Sequence, residues 1–320
     1  MALIPIPLED AAAAVASPQQ ARQWCQRLEE GNVLFFPQTP ISLPEQDRAF
    51  LLGLGHSHRS LHKNLAYKPH LDRIAGADLQ AADPHAAQHL LHCMRAYSQQ
   101  VQKFLTDFLS PYQARWQVDY ASYRPLQEKN RTLPLHKRND LMHTDAFPTR
   151  PTQGARILRF FNNIHPEESR HWIVGEPFRA LLPQFVPESF PLPRAESGWQ
   201  SGTRAALCQL GLGALLPALR RSPYDQFMMR FHNFLKENSA YQRSGWREEL
   251  CLPPGSSWMV YTDMVPHAVL SGQCALEQTI LVAPEALQAP EHAPLTVLEA
   301  YAGQPLTRRS ARQGHPSASV

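Results

Sequence analysis

The chain has 320 residues, 43% hydrophobic and 18% charged, with a formal charge of +3 at neutral pH. That length allows one large domain or two small ones with a sizeable core, and 29 prolines favour a loop-rich architecture over a helical bundle. So small a charge, with Lys and Arg scattered rather than striped among aromatics, gives no footprint for nucleic acid.

In chain order, Ser17-Pro18 starts a helix over 18–30, with Trp24 and Leu28 on one face. Val33 to Phe36 is a short buried strand, and 44–53 is a second helix. His56 to Gly76 is polar, aromatic and basic without a clear period and reads as a long functional loop. Asp83-Pro84 places a capping residue and a first-turn proline at the start of a long helix. Its core face is Leu90, Met94, Tyr97, Val101, Leu105 and Phe108; His85, His89 and His92 read as its polar face.

Val118 to Arg124 alternates as a strand, followed by a polar loop. Asp140 to Asp145 is a short apolar run read as the central strand, and Gly154 to Ile164 is the next one. Residues 166–250 are expected to form a largely helical insertion. Within it, Ser222-Pro223-Tyr224-Asp225 resembles a capping box with Asp in place of Glu. His232 on that helix reads as an ordinary helix histidine. Ser257 to Asp263 and Leu276 to Val282 are strands, with His267 between them. The polar, basic stretch 303–320 reads as a disordered tail, leaving 1–302 as a single domain.

Cys25, Cys93, Cys208, Cys251 and Cys274 are far apart with no Cys-x-x-Cys pair, which fits reduced thiols in a cytoplasm. The first residues lack the basic segment of a signal peptide, and no apolar run reaches the length of a membrane span.

The chemistry centres on His143 and Asp145. A His-x-Asp pair on a strand puts an imidazole and a carboxylate on one face. That is two-thirds of the 2-His-1-carboxylate set that holds non-heme Fe(II). His70/Asp72 and His165/Glu167 share the spacing but lack the strand context. The third ligand must be a distant His, and His267, between two late strands, is the candidate. A β-barrel-like scaffold, in which early and late strands lie side by side, would bring it to the pair. Such a triad leaves three adjacent positions, two for a chelating 2-oxoacid and one for O₂. The far carboxylate of the oxoacid needs a cation, and Arg159, sharing a strand face with Asn163, is the expected anchor.

The run His143-Thr-Asp-Ala-Phe-Pro-Thr-Arg-Pro-Thr-Gln-Gly-Ala-Arg-Ile-Leu-Arg-Phe-Phe-Asn-Asn163 resembles the bacterial Kdo 3-hydroxylases. So do Tyr224-Asp-Gln-Phe-Met-Met-Arg-Phe-His-Asn-Phe-Leu-Lys-Glu-Asn-Ser239 and His267-Ala-Val-Leu-Ser-Gly-Gln-Cys-Ala-Leu-Glu-Gln-Thr279, so that the resemblance spans roughly 30–285. It implies an α+β chain with a double-stranded β-helix (jelly-roll, cupin-like) core. It further implies an Fe(II)- and 2-oxoglutarate-dependent dioxygenase that uses O₂, acting at the 3-position of the Kdo sugar of Kdo-lipid A. By that resemblance His143, Asp145 and His267 are the iron ligands.

Many dioxygenases of the wider superfamily carry an Arg ten or eleven residues after the distal His; here that position holds Gln278, which can donate a hydrogen bond but no charge. For the acidic sugar, the expected contacts are Lys63, Tyr67, Arg124 and Arg150. A lipid A substrate implies peripheral membrane contact at most, at the inner face of the inner membrane. Two other readings remain open: a dioxygenase of the same fold acting on another small acidic metabolite or lipid, and a non-catalytic sugar-binding β-helix protein.

Overall fold

The computed structural model describes residues 1–57, 64–76, 83–186, 188–194 and 217–307. Its strands are β1 (Leu3–Pro5), β2 (Val33–Phe36), β3 (Leu65–Lys68), β4 (Arg73–Ala75), β5 (Trp116–Arg124) and β6 (Arg156–Asn163). They continue with β7 (Arg170–Gly175), β8 (Arg247–Leu252), β9 (Ser257–Tyr261), β10 (His267–Ser271) and β11 (Ala275–Val282). Eight of them form one sheet in the order β1-β2-β9-β6-β11-β5-β3-β4, and β10-β7-β8 form a second. Apart from the parallel β1–β2 pair, the pairings are antiparallel.

The alternation of β6 sends its residues into two layers. Phe161 packs on Trp258 of β9 (5.2 Å between centroids, stacked) and on Trp172 of β7 (4.9 Å, edge-on), which joins the small sheet to the large one. Phe160 faces the other way and meets Phe36 and Phe104.

That opposite layer is helical: α1 (Leu8–Ala16), α2 (Pro18–Glu29), α3 (Glu45–Ser57) and α4 (Pro84–Phe108). Helices α2 and α4 start as the sequence dictates, with Ser17 accepting from the Gln20 N–H and Asp83 from the Ala86 N–H. The apolar stripe of α4 is buried against the sheet, and Tyr97 donates to Asn162 Oδ1 at 2.8 Å. One continuous apolar cluster runs from Ile6 to Leu306. No described helix is long and apolar enough to cross a membrane.

Between β7 and β8 the described chain includes a turn of helix at Phe178–Leu181, then α5 (Pro223–Glu237) and α6 (Ser239–Arg243). The capping box is present: Ser222 accepts from the Asp225 N–H and Asp225 from the Ser222 N–H. Helix α7 (Pro294–Ala302) follows β11.

Four expectations change. The insertion is narrower than 166–250, because Arg170–Gly175 and Arg247–Leu252 pair with each other as strands; residues 195–216 lie outside the described set. The expected loop over 56–76 contains a hairpin, β3–β4 closed by a 3₁₀ turn, docked on β5. His143 and Asp145 are not on a strand: the segment is extended, and only His143 bridges His267. The chain stays packed past Gly303: Leu306 is buried, with its N–H on Glu299 Oε1 at 2.7 Å and its carbonyl accepting from the Tyr224 N–H. Residues 308–320 are outside the described set.

Candidate metal centre

His143 and His267 exchange backbone hydrogen bonds (3.1 and 2.9 Å), and the Asp145 N–H donates to Thr262 O at 2.8 Å. Three non-local bonds therefore hold the two segments side by side. The turn after β9 supplies Thr262 and Val265, and it is pinned by a fully buried ion pair, Arg156 Nε to Asp263 Oδ2 at 2.7 Å. Arg156 thus acts from the opposite face of β6, as a support for the segment that carries His267.

The ligand atoms that His143, Asp145 and His267 offer lie within 4.8 Å of one another. Their orientation is set from behind. Nδ1 of His143 donates to Leu141 O at 2.6 Å and Nδ1 of His267 to Val265 O at 3.0 Å; carbonyls only accept, so each Nδ1 carries the hydrogen. Both Nε2 lone pairs are left toward Asp145, whose oxygens lie 3.8 and 4.0 Å away. Burial, followed for His143 by the nearby His267, pushes both imidazoles below their ordinary value and so favours the neutral form of each. Burial pushes the Asp145 carboxyl up, but Arg159, His267 and His143 together outweigh it and hold the group well below the carboxylate range.

Asp145 Oδ2 is buried without a hydrogen-bond partner, although Arg159 Nε is 3.2 Å away; the two attract but are not aligned to bond. A buried carboxylate facing two imidazole lone pairs, with one oxygen unbonded, is an arrangement that a divalent ion completes.

A cavity of about 410 Å³ opens beside the triad. Strands β5 and β6 give its inner wall Arg124, Arg159 and Phe161, and β11 lies between them. Registers Glu277↔Phe161, Thr279↔Arg159 and Ala275↔Arg124 put Arg124, Arg159 and Glu277 on one face. Glu277 holds both guanidiniums, with Oε2 at 2.9 Å from Arg124 and Oε1 at 3.5 Å from Arg159. Burial pushes the Glu277 carboxyl up, but Arg159 and Arg124 outweigh it and keep the group ionised. Trp172 stacks on His267 (5.3 Å, 17°), and its buried Nε1–H has no partner. His232 stands edge-on to His143 at 5.0 Å, its Nδ1 donating to Thr144 O at 2.6 Å. Lys236, one helical turn on, is buried and donates to His136 O at 2.9 Å.

Of the residues expected at this site, His143, Asp145, His267, Arg159 and Arg124 line the cavity. Asn163 does not: its Nδ2 donates to Glu168 O and Leu252 O, tying β6 to the small sheet. Gln278 is on the opposite face of β11 from Glu277, accepting from Ser98 and donating to Asp119 O and Thr279 O. Neither residue lines the cavity; both satisfy backbone or helix partners.

Tyr67 bonds Asp72 at 2.9 Å inside the β3–β4 hairpin, away from the cavity. Arg150 pairs with Asp119 at 3.1 Å and covers the Tyr120 and Phe147 rings, outside the lining. Lys63 lies outside the described residues, while its neighbour Asn64 lines the cavity. His70/Asp72 and His165/Glu167 are local: Asp72 pairs with Arg95, and His165 Nδ1 caps a turn by accepting from the Glu167 and Glu168 N–H groups.

The sequence reading missed Glu277, Trp172, His232 and Lys236. His232 and Lys236 had a signal, a polar pair one turn apart beside the Phe227/Phe231/Phe234 stripe.

A profile of the 3-deoxy-D-manno-oct-2-ulosonic acid (Kdo) hydroxylase family matches residues 11–305. Among solved structures, the Kdo hydroxylase KdoO in complex with α-ketoglutarate and Fe(III) is 30% identical, with a TM-score of 0.76 over 92% of this chain and 93% of that one. The cobalt(II) complex of KdoO is 31% identical (TM-score 0.76, 91% and 93% covered), and its apo structure 29% identical (TM-score 0.77, 97% of each chain). No curated protein sequence matches the chain.

Proposed function

The chain belongs to the Kdo hydroxylase family of Fe(II)- and 2-oxoglutarate-dependent dioxygenases, and we propose that His143, Asp145 and His267 are its iron ligands. The observation that carries this reading is the pair of back-bonded Nδ1 atoms. They leave two Nε2 lone pairs toward the Asp145 carboxylate, whose Oδ2 has no hydrogen-bond partner.

We read the two face-to-face, largely antiparallel sheets as a double-stranded β-helix and the chain through the core residue Leu306, four residues past the expected boundary at 302, as one catalytic domain. The contiguous core supports the second reading.

When bound, the iron and 2-oxoglutarate together supply the oxidising power for C–H hydroxylation by O₂. The chain's own residues bind and orient. Asp145 and Glu277 offset Arg124 and Arg159 in the wall, so a dication and a dianion entering together leave the site neutral. That balance is what a buried site requires. Arg159, beside Asp145, is placed to hold an oxoglutarate carboxylate by a two-point fork, with Arg124 next to it on the same face. Trp172 offers its spare Nε1–H to the same ligand.

Lys236 and His232 stand on the helical side of the cavity, across from that wall. There a buried ammonium suits the carboxylate of an acidic sugar. We assign the substrate as the Kdo residue of Kdo-lipid A and the product as its 3-hydroxylated form.

The test is oxoglutarate turnover by the iron-loaded protein with Kdo-lipid A, with free Kdo, and with neither. Succinate release coupled to gain of one oxygen by the Kdo residue is expected with Kdo-lipid A. Equal succinate release in all three arms, with no oxygenated sugar, would refute the substrate assignment.

A further inference from the structure

A second group of ligating side chains lies on the helical side of the large sheet, away from the iron candidates. Asp47 of α3 meets His89 and Cys93 of α4, and the atoms they offer lie within 4.8 Å of one another. His89 and Cys93 are one helical turn apart and so share a face. Asp47 and Cys93 are 4% and 1% exposed, whereas the His89 side chain is 39% exposed. The cluster is closed on two sides and open to water on the third.

His89 is held in place twice. Its ring stacks flat on Phe50 (4.0 Å, 17°), and its Nε2 points at Asp47 Oδ1 from 2.9 Å. One imidazole, one carboxylate and one thiol, converging with an open fourth direction, are the donors that zinc takes in tetrahedral sites. Charge agrees with this. A dication, a thiolate and a carboxylate sum to zero, the only balance a site this buried holds cheaply.

We propose that Asp47, His89 and Cys93 form a second metal site, taking a zinc-class divalent ion with one water as fourth ligand and clipping α3 to α4. On binding, the Cys93 S–H bond breaks, the metal–sulfur bond forms, and the proton leaves to water. His89 takes up the metal through Nε2 and keeps its hydrogen on Nδ1. No electron is transferred. Distances of about 2.3 Å to sulfur and about 2.0–2.1 Å to nitrogen require the cluster to open slightly from its hydrogen-bonded spacing. Burial, with the Asp47 charge adding to it, pushes the Cys93 thiol up to about 12, so uptake releases a proton and strengthens as pH rises.

The two sites are separable because only this one contains sulfur. Cobalt(II) titrated into the full chain should bind at two equivalents, one of them producing a thiolate-to-cobalt charge-transfer band in the near ultraviolet. Cys93→Ser should abolish the band and leave one equivalent. Asp145→Ala should remove the other equivalent and keep the band, whatever becomes of hydroxylation. His89→Ala, at a half-exposed position that leaves the core intact, should weaken the band's titration and cancel the rise in Tm that zinc gives Asp145→Ala. Absence of the band from both the wild-type chain and Asp145→Ala would overturn the proposal. So would a band that survives Cys93→Ser, or a titration that is unchanged in His89→Ala.

Discussion

Arg159 is the residue whose replacement tests the cosubstrate site most directly. Its side chain is 12% exposed and lies 3.2 Å from Asp145 and 3.5 Å from Glu277, with Nε unbonded. A two-point grip on an oxoglutarate carboxylate is worth roughly 1.5–3 kcal/mol per charge-assisted bond. Arg159→Met should therefore weaken oxoglutarate binding by about two to four orders of magnitude. Arg159→Lys keeps the charge but loses the fork, and should fall between.

Folding stability is affected separately. Breaking a buried ion pair costs about 3–5 kcal/mol, and the cost here should be at the lower end because Glu277 keeps Arg124 at 2.9 Å. The assay is an anaerobic oxoglutarate titration of the iron-loaded protein, with Tm measured on the same samples. KM for the sugar should move much less than KM for oxoglutarate. If oxoglutarate affinity is unchanged in both variants while Arg124→Lys reduces it, Arg124 is the anchor and the charge argument for Arg159 fails. The iron assignment would survive that outcome.

Asp145→Ala should abolish turnover and iron binding and lower Tm of the metal-free protein without unfolding it, because Arg159 is left with Glu277, which it shares with Arg124; near-normal turnover would remove Asp145 from the ligand set. Asn163→Ala should cost about 1–3 kcal/mol in denaturant unfolding, since it removes the buried bond to Leu252 O and the part-buried one to Glu168 O, with oxoglutarate KM unchanged; a selective rise in that KM would place Asn163 at the cosubstrate site. Burial lowers His143 and His267 from their ordinary 6.5, so at that pH each binds less proton in the folded chain than in the unfolded one. Their contribution to stability is thus fully present above pH 6.5 and declines as pH falls below it. Iron affinity measured at pH 6.5 should match that at pH 7.5, and a tenfold loss across that interval would contradict neutral, buried ligands.

The sequence by itself determined whatever depends on near neighbours. Ser17, Asp83 and Ser222 with Asp225 start helices through bonds that reach three residues along the chain, so their chemistry is written locally. The division of β6 into a Phe160 face and a Phe161 face follows from strand alternation alone. So does the placing of Glu277 and Gln278 on opposite sides of β11.

Which side faces the iron depends on what packs against each face, and that is a non-local fact. The small sheet lies over Phe161, so Arg159 points into the cavity with Glu277 behind it; α4 lies over Phe160, so Gln278 meets Ser98 instead. His267 reaches His143 only because two backbone hydrogen bonds join segments far apart in the chain. His232 enters the cavity because its helix returns to the Thr144 carbonyl. Local preferences could not choose among these faces, since each arrangement satisfies the same periodicity. The choice was made by burial of Phe161, Trp172 and Trp258 between the two sheets, a contact that exists only once the whole chain has folded.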